Sequence, residues 1–144
     1  MSTEDPHNLQ RFISAQAQDY DTAIEELKAG QKQSHWIWYV FPQIAGLGFS
    51  DMAERYSIKD RAEAIAYIEH DILGPRLIES AETLLQIEDR RIEDIMGYPD
   101  DMKLRSSMTL FHVVTPTDSV FQEVLDRYFG GFIDGKTVAY LNKE

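Results

Sequence analysis

Only one stretch of the chain has the composition of a β-strand, the aromatic and β-branched run WIWYVF over residues 36–41. A strand needs a second strand to take up its backbone hydrogen bonds, and no other stretch of the sequence competes as one. Elsewhere, apolar residues recur at the three- and four-residue intervals of a helix that faces a core. The sequence therefore predicts an all-α protein in which residues 36–41 form a short buried helix.

Helix start and stop signals divide the chain into about seven or eight short stacked helices. Helices are expected to begin near Asn8, residues 19–21, the capping box of residues 60–63, Pro75, Pro99, Asp118 and Asp134. Gly30 and Gly130 are expected to end two of them, since glycine takes the left-handed conformation of a helix C-cap. We predict a single compact helical domain over residues 8–144, preceded by a disordered N-terminal tail over residues 1–7.

The charge balance excludes several classes of function. The chain of 144 residues has a net charge of −11, and its 14 lysines and arginines are scattered, so we predict no nucleic-acid partner. It has no cysteine, which excludes a thiolate metal site and a cysteine nucleophile. No metal ion and no cofactor is predicted. The acidic N-terminus does not resemble a signal peptide and no apolar run is long enough for a bilayer, so we expect a cytoplasmic protein without a membrane partner.

Residues 32–50, here called the aromatic segment, hold both tryptophans of the chain beside a lysine and a histidine. If the segment is helical, Lys32, His35, Trp36 and Tyr39 share one face, and Trp38 points elsewhere, into the core. This face is a candidate ligand site. The alternative is an aromatic plug of the core, in which these side chains serve folding alone.

A turn follows at Pro42, where the helix is expected to end. Gln43, Gly46, Gly48 and Ser50 give this turn polar groups and backbone freedom, so that it could present amide groups to a ligand. The alternative is a tight turn that packs closely. The pair Gly46 and Gly48 is not a dinucleotide fingerprint, because that motif needs a preceding strand and a third glycine.

Residues 101–111, here called the polar segment, form the second candidate. On a helix, Leu104, Met108 and Phe111 make an apolar stripe. Arg105 either pairs with Asp101 four residues before it, a weak surface interaction, or binds an anion. Two cations beside two hydroxyls, Lys103, Arg105, Ser106 and Ser107, favour a phosphate or carboxylate site in an otherwise acidic chain.

Together these residues resemble the domain-of-unknown-function 1810 family over nearly the whole chain. The resemblance is carried by Lys32-x-x-His35-Trp36-x-Trp38-x-x-Phe41-Pro42-Gln43, Gly46-Leu47-Gly48-x-Ser50, Tyr56-x-Ile58, His70-x-x-Leu73-Gly74-x-Arg76-Leu77 and Lys103-Leu104-Arg105-Ser106-Ser107-Met108-Thr109-Leu110-Phe111. It implies an all-α fold of stacked short helices and favours a helix over residues 36–41. It implies no activity, because the family is uncharacterised. The label calpastatin, which some members carry, denotes a disordered inhibitor and does not fit a chain so rich in core-forming residues. A fainter likeness, in general character alone, to small helical domains that process ADP-ribose derivatives favours a phosphate-bearing ligand.

Two functions follow as hypotheses. In the first, the two segments form one pocket that binds or processes a phosphate-bearing small molecule, of the nucleotide or ADP-ribose kind. The candidate ligand-binding residues are Lys32, Trp36, Trp38, Gln43, Gly46, Gly48, Ser50, Lys103, Arg105, Ser106 and Ser107. His35 is the candidate catalytic residue, as a general acid or base. In the second hypothesis, the protein is a non-catalytic protein–protein interaction module with an exposed aromatic patch and no deep pocket.

Overall fold

The structure is a computed structural model that describes residues 5–116 and 119–143. In these two ranges the chain forms nine α-helices and no strand, which confirms the all-α prediction, and none of the helices is long and apolar enough to cross a membrane. The helices are α1 (Gln10–Lys28), α2 (Ile37–Val40), α3 (Asp51–Arg55), α4 (Arg61–Glu69), α5 (Leu73–Leu85), α6 (Ile92–Met96), α7 (Asp100–Val113), α8 (Val120–Phe129) and α9 (Gly135–Leu141). The short helices α3 and α6 carry too few residues to show a periodic pattern, so the sequence did not predict them.

Helix α1 replaces the two helices that the sequence predicted for its N-terminal region. Its buried residues lie on both sides of the polar residues 19–21, with Phe12 and Gln16 before them and Ala23 and Leu27 after them, so tertiary packing continues the helix across this stretch. The start of α1 also differs from the prediction. Asp5, within the predicted tail, accepts hydrogen bonds from the backbone nitrogens of Leu9 at 2.8 Å and Gln10 at 2.9 Å, in the way of an N-cap. Residues 1–4 lie outside the described residues.

Helices α4 and α5 are joined at a close approach of their backbones. The predicted capping box starts α4, where the backbone nitrogen of Glu63 donates to Asp60 Oδ1 at 2.9 Å. A Cβ atom at Gly74, near the start of α5, would lie 2.1 Å from the backbone oxygen of Ile68. Only glycine therefore lets α5 begin so close to the end of α4.

Helix α7 lies at the centre of the fold and packs against α2, α4, α6, α8 and α9. Its predicted apolar stripe is confirmed, since Leu104, Met108 and Phe111 are fully buried. A chain of aromatic rings crosses the core through Phe111. The ring centroids are 5.1 Å apart from Phe12 to Tyr67, 5.3 Å from Tyr67 to Phe111 and 5.8 Å from Phe111 to Phe121, which ties α1, α4, α7 and α8 together.

The last two helices have local caps. Ser119 begins α8 by accepting a hydrogen bond from the backbone nitrogen of Gln122; Asp118, which the sequence predicted for this role, lies outside the described residues. Gly130 ends α8 in the left-handed conformation, with φ of 62°, as predicted. Asp134 caps α9, also as predicted. The loop between these two helices places Asp134 next to α7, where it accepts a hydrogen bond from Ser106.

Candidate functional site

The aromatic segment is helical only over α2, and its two tryptophans are placed the opposite way from the prediction. Lys32, His35 and Trp36 precede the helix in irregular chain, so they do not form the helical face that the spacing predicted. Trp36 is fully buried, whereas Trp38 is half-buried beside α7. The predicted helical face required the helix to begin before residue 36, whereas α2 begins at Ile37. Because of this later start, the indole of Trp36 enters the core and that of Trp38 does not.

Glu26 on α1 holds this irregular stretch in place. Its carboxylate accepts hydrogen bonds from the backbone nitrogens of Gln33 at 2.8 Å and Ser34 at 2.9 Å, from the Ser34 hydroxyl, and from Trp36 Nε1 at 2.8 Å. Burial by itself would raise the pKa of Glu26, but these hydrogen bonds outweigh it and bring the pKa down to about 2. The position of Trp36 therefore depends on a carboxylate ten residues earlier, which no pattern in the sequence distinguishes from its solvated neighbours.

Replacing Glu26 with glutamine is expected to lower the free energy of unfolding at neutral pH by about 2 kcal/mol, because four donors lose a charged acceptor in a partly solvent-screened site. The pKa of Glu26 lies below its ordinary value of 4.5 in the folded chain, so this stabilisation is complete above that pH and is lost as the pH falls towards 2. Urea denaturation between pH 7 and pH 2.5 should show the difference between the two proteins shrinking. The exposed neighbour Glu25→Gln is the control, and a pH-independent difference would contradict the assignment.

Lys32 and His35 both have contacts within the protein. Lys32 Nζ lies 2.7 Å from Asp100 Oδ2, and its side chain is 5% exposed, so its charge is already neutralised in the protein. The same ammonium group lies 4.9 Å from the centre of the Trp36 ring. His35 is exposed, and its backbone oxygen accepts a hydrogen bond from the Tyr39 hydroxyl at 3.2 Å. Lys32 therefore ties the segment to the start of α7, whereas His35 contributes through its backbone oxygen.

The two segments nevertheless meet, at a cleft of about 320 Å³ that we call the α7 cleft. Residues from the turn after α2, from α7 and from the start of α9 line it: Gln43, Leu47, Pro99, Met102, Lys103, Arg105, Ser106, Asp134 and Lys136. Four of the candidate ligand residues are thus brought together, namely Gln43, Lys103, Arg105 and Ser106. Asp134 and Lys136 also line the cleft, and the sequence analysis gave Asp134 only a capping role and did not single out Lys136.

The three cations of the α7 cleft are held in different ways. Lys103 Nζ lies 5.0 Å from the centre of the Trp38 ring and 3.7 Å from Asp100 Oδ1. Arg105 does not pair with Asp101; its guanidinium donates to the backbone oxygens of Phe132, at 2.9 Å, and Ile133. Lys136 is exposed, and its ammonium group forms no ion pair within residues 5–116 and 119–143. Lys136 is therefore the cation with the least competition for an external anion.

Asp134 connects α7 to α9 beside these cations. Its Oδ2 accepts hydrogen bonds from Ser106 Oγ at 2.7 Å and Thr137 Oγ1 at 2.6 Å. Burial would raise the pKa of Asp134, but those two hydrogen bonds, a third from the Lys136 backbone and the nearby charge of Arg105 outweigh it and lower the pKa. The cleft therefore contains an ionised carboxylate at neutral pH.

The remaining candidates lie outside the cleft and have structural roles. A Cβ at Gly46, where φ is 103°, would lie 3.4 Å from the Tyr140 ring, and a Cβ at Gly48 would lie 2.7 Å from that of Ala53. Ser50 caps α3 by accepting from the backbone nitrogen of Ala53 at 3.1 Å. Ser107 is fully buried in the core. The turn is therefore closely packed at both glycines.

Comparison with known proteins places the chain in a family. Residues 6–141 match the model described as "Protein of unknown function (DUF1810)". The chain belongs to this family. A solved structure, that of the conserved hypothetical protein Rv1873 from Mycobacterium tuberculosis, is similar to it with 51% identity and a TM-score of 0.94, over 96% of this chain and 99% of that chain. No curated protein matches the sequence.

The residues by which the sequence resembles the DUF1810 family divide into two groups. One group builds the fold: Trp36 fills the core, and His70 caps α5 through Nδ1, which accepts from the backbone nitrogens of Ile72 at 3.0 Å and Leu73 at 3.3 Å. The other group lines the α7 cleft and comprises Gln43, Lys103, Arg105 and Ser106. The family description names no activity, so a function for this DUF1810 chain has to be argued from the second group.

Proposed function

We propose that the α7 cleft binds a small molecule through a phosphate group, as a nucleotide, a sugar phosphate or an ADP-ribose derivative would offer it. The observation that carries the proposal is a local reversal of charge. The chain as a whole has 25 acidic and 14 basic residues, whereas the cleft is lined by three cations and one carboxylate. Gathering like charges costs electrostatic free energy, and a bound anion would offset that cost.

The chemistry of the lining suits a phosphate ester. Lys103 and Lys136 offer compact ammonium charges, and Arg105 retains N–H donors beyond the two hydrogen bonds that it makes to the α8–α9 loop. Leu47 and Met102 give the cleft apolar surface for the organic part of a ligand. A cleft of about 320 Å³ is at the small end of the range for ligand pockets, which favours a compact phosphate ester.

The two tryptophans have no stacking role in this proposal. Trp36 is fully buried, and the Lys103 ammonium lies over the ring of Trp38. We assign Trp38 to the positioning of Lys103 through a cation–π contact.

Replacing Lys136 with glutamine is expected to weaken phosphate binding about tenfold, since the variant loses an exposed ammonium group that forms no ion pair among the residues that the structure describes. Thermal-shift and calorimetric titrations of the whole chain would use AMP, ADP-ribose and ribose 5-phosphate. A ligand at one hundred times its Kd stabilises the folded chain by about 2.7 kcal/mol, which such a screen detects easily.

Lys59→Gln is the matched control for this experiment, because Lys59 is also exposed and carries the same charge but does not line the cleft. It should bind the same ligands as the wild type does. If none of the three ligands raises the melting temperature, or if both variants lose the same amount of affinity, the cleft is ruled out as a phosphate site.

A second candidate function is the protein–protein interaction module, which one observation favours. Tyr98 and Phe132 are 83% and 72% exposed, and both lie in loops next to residues that line or contact the cleft. An apolar surface of this kind would suit self-association of the chain. Sedimentation velocity over a range of concentrations separates the candidates: a dimer that Phe132→Ser abolishes, in a chain that binds no phosphate, would favour the interaction module.

A further inference from the structure

The α7 cleft contains a carboxylate whose hydrogen-bonding capacity is only partly used. Asp134 Oδ2 accepts from two hydroxyls, whereas Oδ1 accepts, among the residues that the structure describes, only from the backbone nitrogen of Lys136, at 3.3 Å. An ionised carboxylate offers about four acceptor positions. Asp134 therefore retains acceptor capacity on Oδ1, in a residue that lines the cleft.

A carboxylate is an unfavourable neighbour for a phosphate unless the ligand itself compensates for it. Capping of α9 does not require the charge, since asparagine caps helices about as well as aspartate. The repulsion between Asp134 and a bare phosphate works against the attraction of Lys103, Arg105 and Lys136. A donor on the ligand turns this repulsion into a charge-assisted hydrogen bond.

Gln43, in the turn after α2, supports the same conclusion. Its side chain lines the cleft and forms no hydrogen bond with any residue that the structure describes. A side-chain amide offers both donors and an acceptor, so it suits a ligand that carries hydroxyl or ammonium groups beside its phosphate. The cleft therefore contains acceptors as well as cations.

We propose that the ligand of the α7 cleft carries a hydroxyl or ammonium donor close to its phosphate, and that Asp134 accepts the hydrogen bond from this donor. This inference rests on the proposed function of the cleft. It narrows the class of ligand from phosphates in general to the phosphate monoesters of polyols or amino alcohols. The cations would bind the phosphate of such a ligand, and Asp134 would bind its donor.

Matched pairs of small phosphates test this directly by calorimetric titration of the whole chain. The first pair is glycerol 3-phosphate and n-propyl phosphate, which differ in their hydroxyls. The second is O-phosphoethanolamine and ethyl phosphate, which differ in the ammonium group. We expect the donor-bearing member of at least one pair to bind about tenfold more tightly, the size of effect that a hydrogen bond to a charged group produces. The pair that shows the preference identifies the donor.

The variant Asp134→Asn assigns the preference to this residue. Asparagine keeps one oxygen, which can accept from Ser106 and Thr137 in the place of Oδ2. An NH2 group then replaces Oδ1, so the variant loses both the charge and the acceptor capacity that the inference assigns to Oδ1. The preference within the pair should fall below twofold, while the plain alkyl phosphates bind several times more tightly. Asp71→Asn, an exposed carboxylate that does not line the cleft, is the matched control and should leave both affinities unchanged.

The possible outcomes separate this inference from the proposed function. Phosphate binding that depends on Lys136 but shows no preference within either pair overturns the inference and leaves the proposed function standing. A preference that survives in Asp134→Asn overturns the role of Asp134. Failure of all four phosphates to bind overturns the inference, and it overturns the proposed function as well when AMP, ADP-ribose and ribose 5-phosphate also fail to bind. If Asp134→Asn does not fold, the wild-type comparison still decides whether the ligand needs a donor.

Discussion

Replacing Trp36 with alanine is expected to lower the free energy of unfolding by about 4 kcal/mol, a large part of the stability of a domain this size. The indole is fully buried against Phe41, with ring centroids 6.2 Å apart, so its removal leaves a cavity in the core. Trp36 Nε1 also donates to Glu26, which loses that hydrogen bond. Chemical denaturation monitored by circular dichroism measures the loss.

The same position distinguishes a structural tryptophan from a ligand-stacking one. Trp36→Phe keeps most of the buried ring, so this variant should fold, at a cost of about 2 kcal/mol, and bind the phosphate probes with wild-type affinity. Trp38→Phe should cost less, because Trp38 is half-buried and its Nε1 has no hydrogen-bond partner among the residues that the structure describes. A loss of ligand affinity in the folded Trp36→Phe protein would contradict a purely structural role and indicate that Trp36 contacts the ligand.

Replacing Arg11 with methionine is expected to lower the free energy of unfolding by about 3 to 5 kcal/mol, because it leaves a buried carboxylate without its cation. Arg11 Nη2 lies 2.7 Å from Glu63 Oε2, and the two side chains are 11% and 0% exposed. The guanidinium also donates to four backbone oxygens, those of His7, Asn8, Arg55 and Ser57. One side chain thus connects α1 to the end of α3 and the start of α4.

A double-mutant cycle measures how much of this loss belongs to the ion pair itself. Arg11→Met combined with Glu63→Gln removes both charges, so the double variant should be more stable than the sum of the two single losses implies. Arg91→Met is the surface control: Arg91 lies 3.7 Å from Glu93 and 3.3 Å from Asp94, but its side chain is 75% exposed, and the change should cost under about 0.5 kcal/mol. Strict additivity in the Arg11–Glu63 cycle would contradict the assignment.

Helix boundaries that depend on neighbouring residues were predictable from the sequence. The capping box that starts α4 and the left-handed Gly130 that ends α8 both act within one helical turn, so their signals are local. The sequence predicted a second helix that begins at residues 19–21, because these residues have the pattern of a helix start, but α1 continues through them. The buried face of α1 packs against other elements on both sides of these residues, and that tertiary contact keeps the helix intact.

The candidate site was predictable only in part, for a related reason. Lysine, histidine and tryptophan beside an apolar run give the same pattern whether they bind a ligand or fold the chain. Lys32 proved to be paired with Asp100, far away in the sequence, whereas Lys103 and Arg105 line a cleft. Lys136 showed no local pattern at all, because most of its neighbours in the cleft come from α7 and from the turn after α2.

The sequence by itself determined the fold class, the family and several helix ends, because helical periodicity, caps and motifs are properties of residues a few positions apart. Only the tertiary structure decided which tryptophan is buried and which predicted residues share a cleft. Those outcomes depend on contacts such as that of Trp36 with Glu26, that of Lys32 with Asp100 and that of Ser106 with Asp134. Such contacts form only when separate helices pack, and the packing energy of the whole core places them.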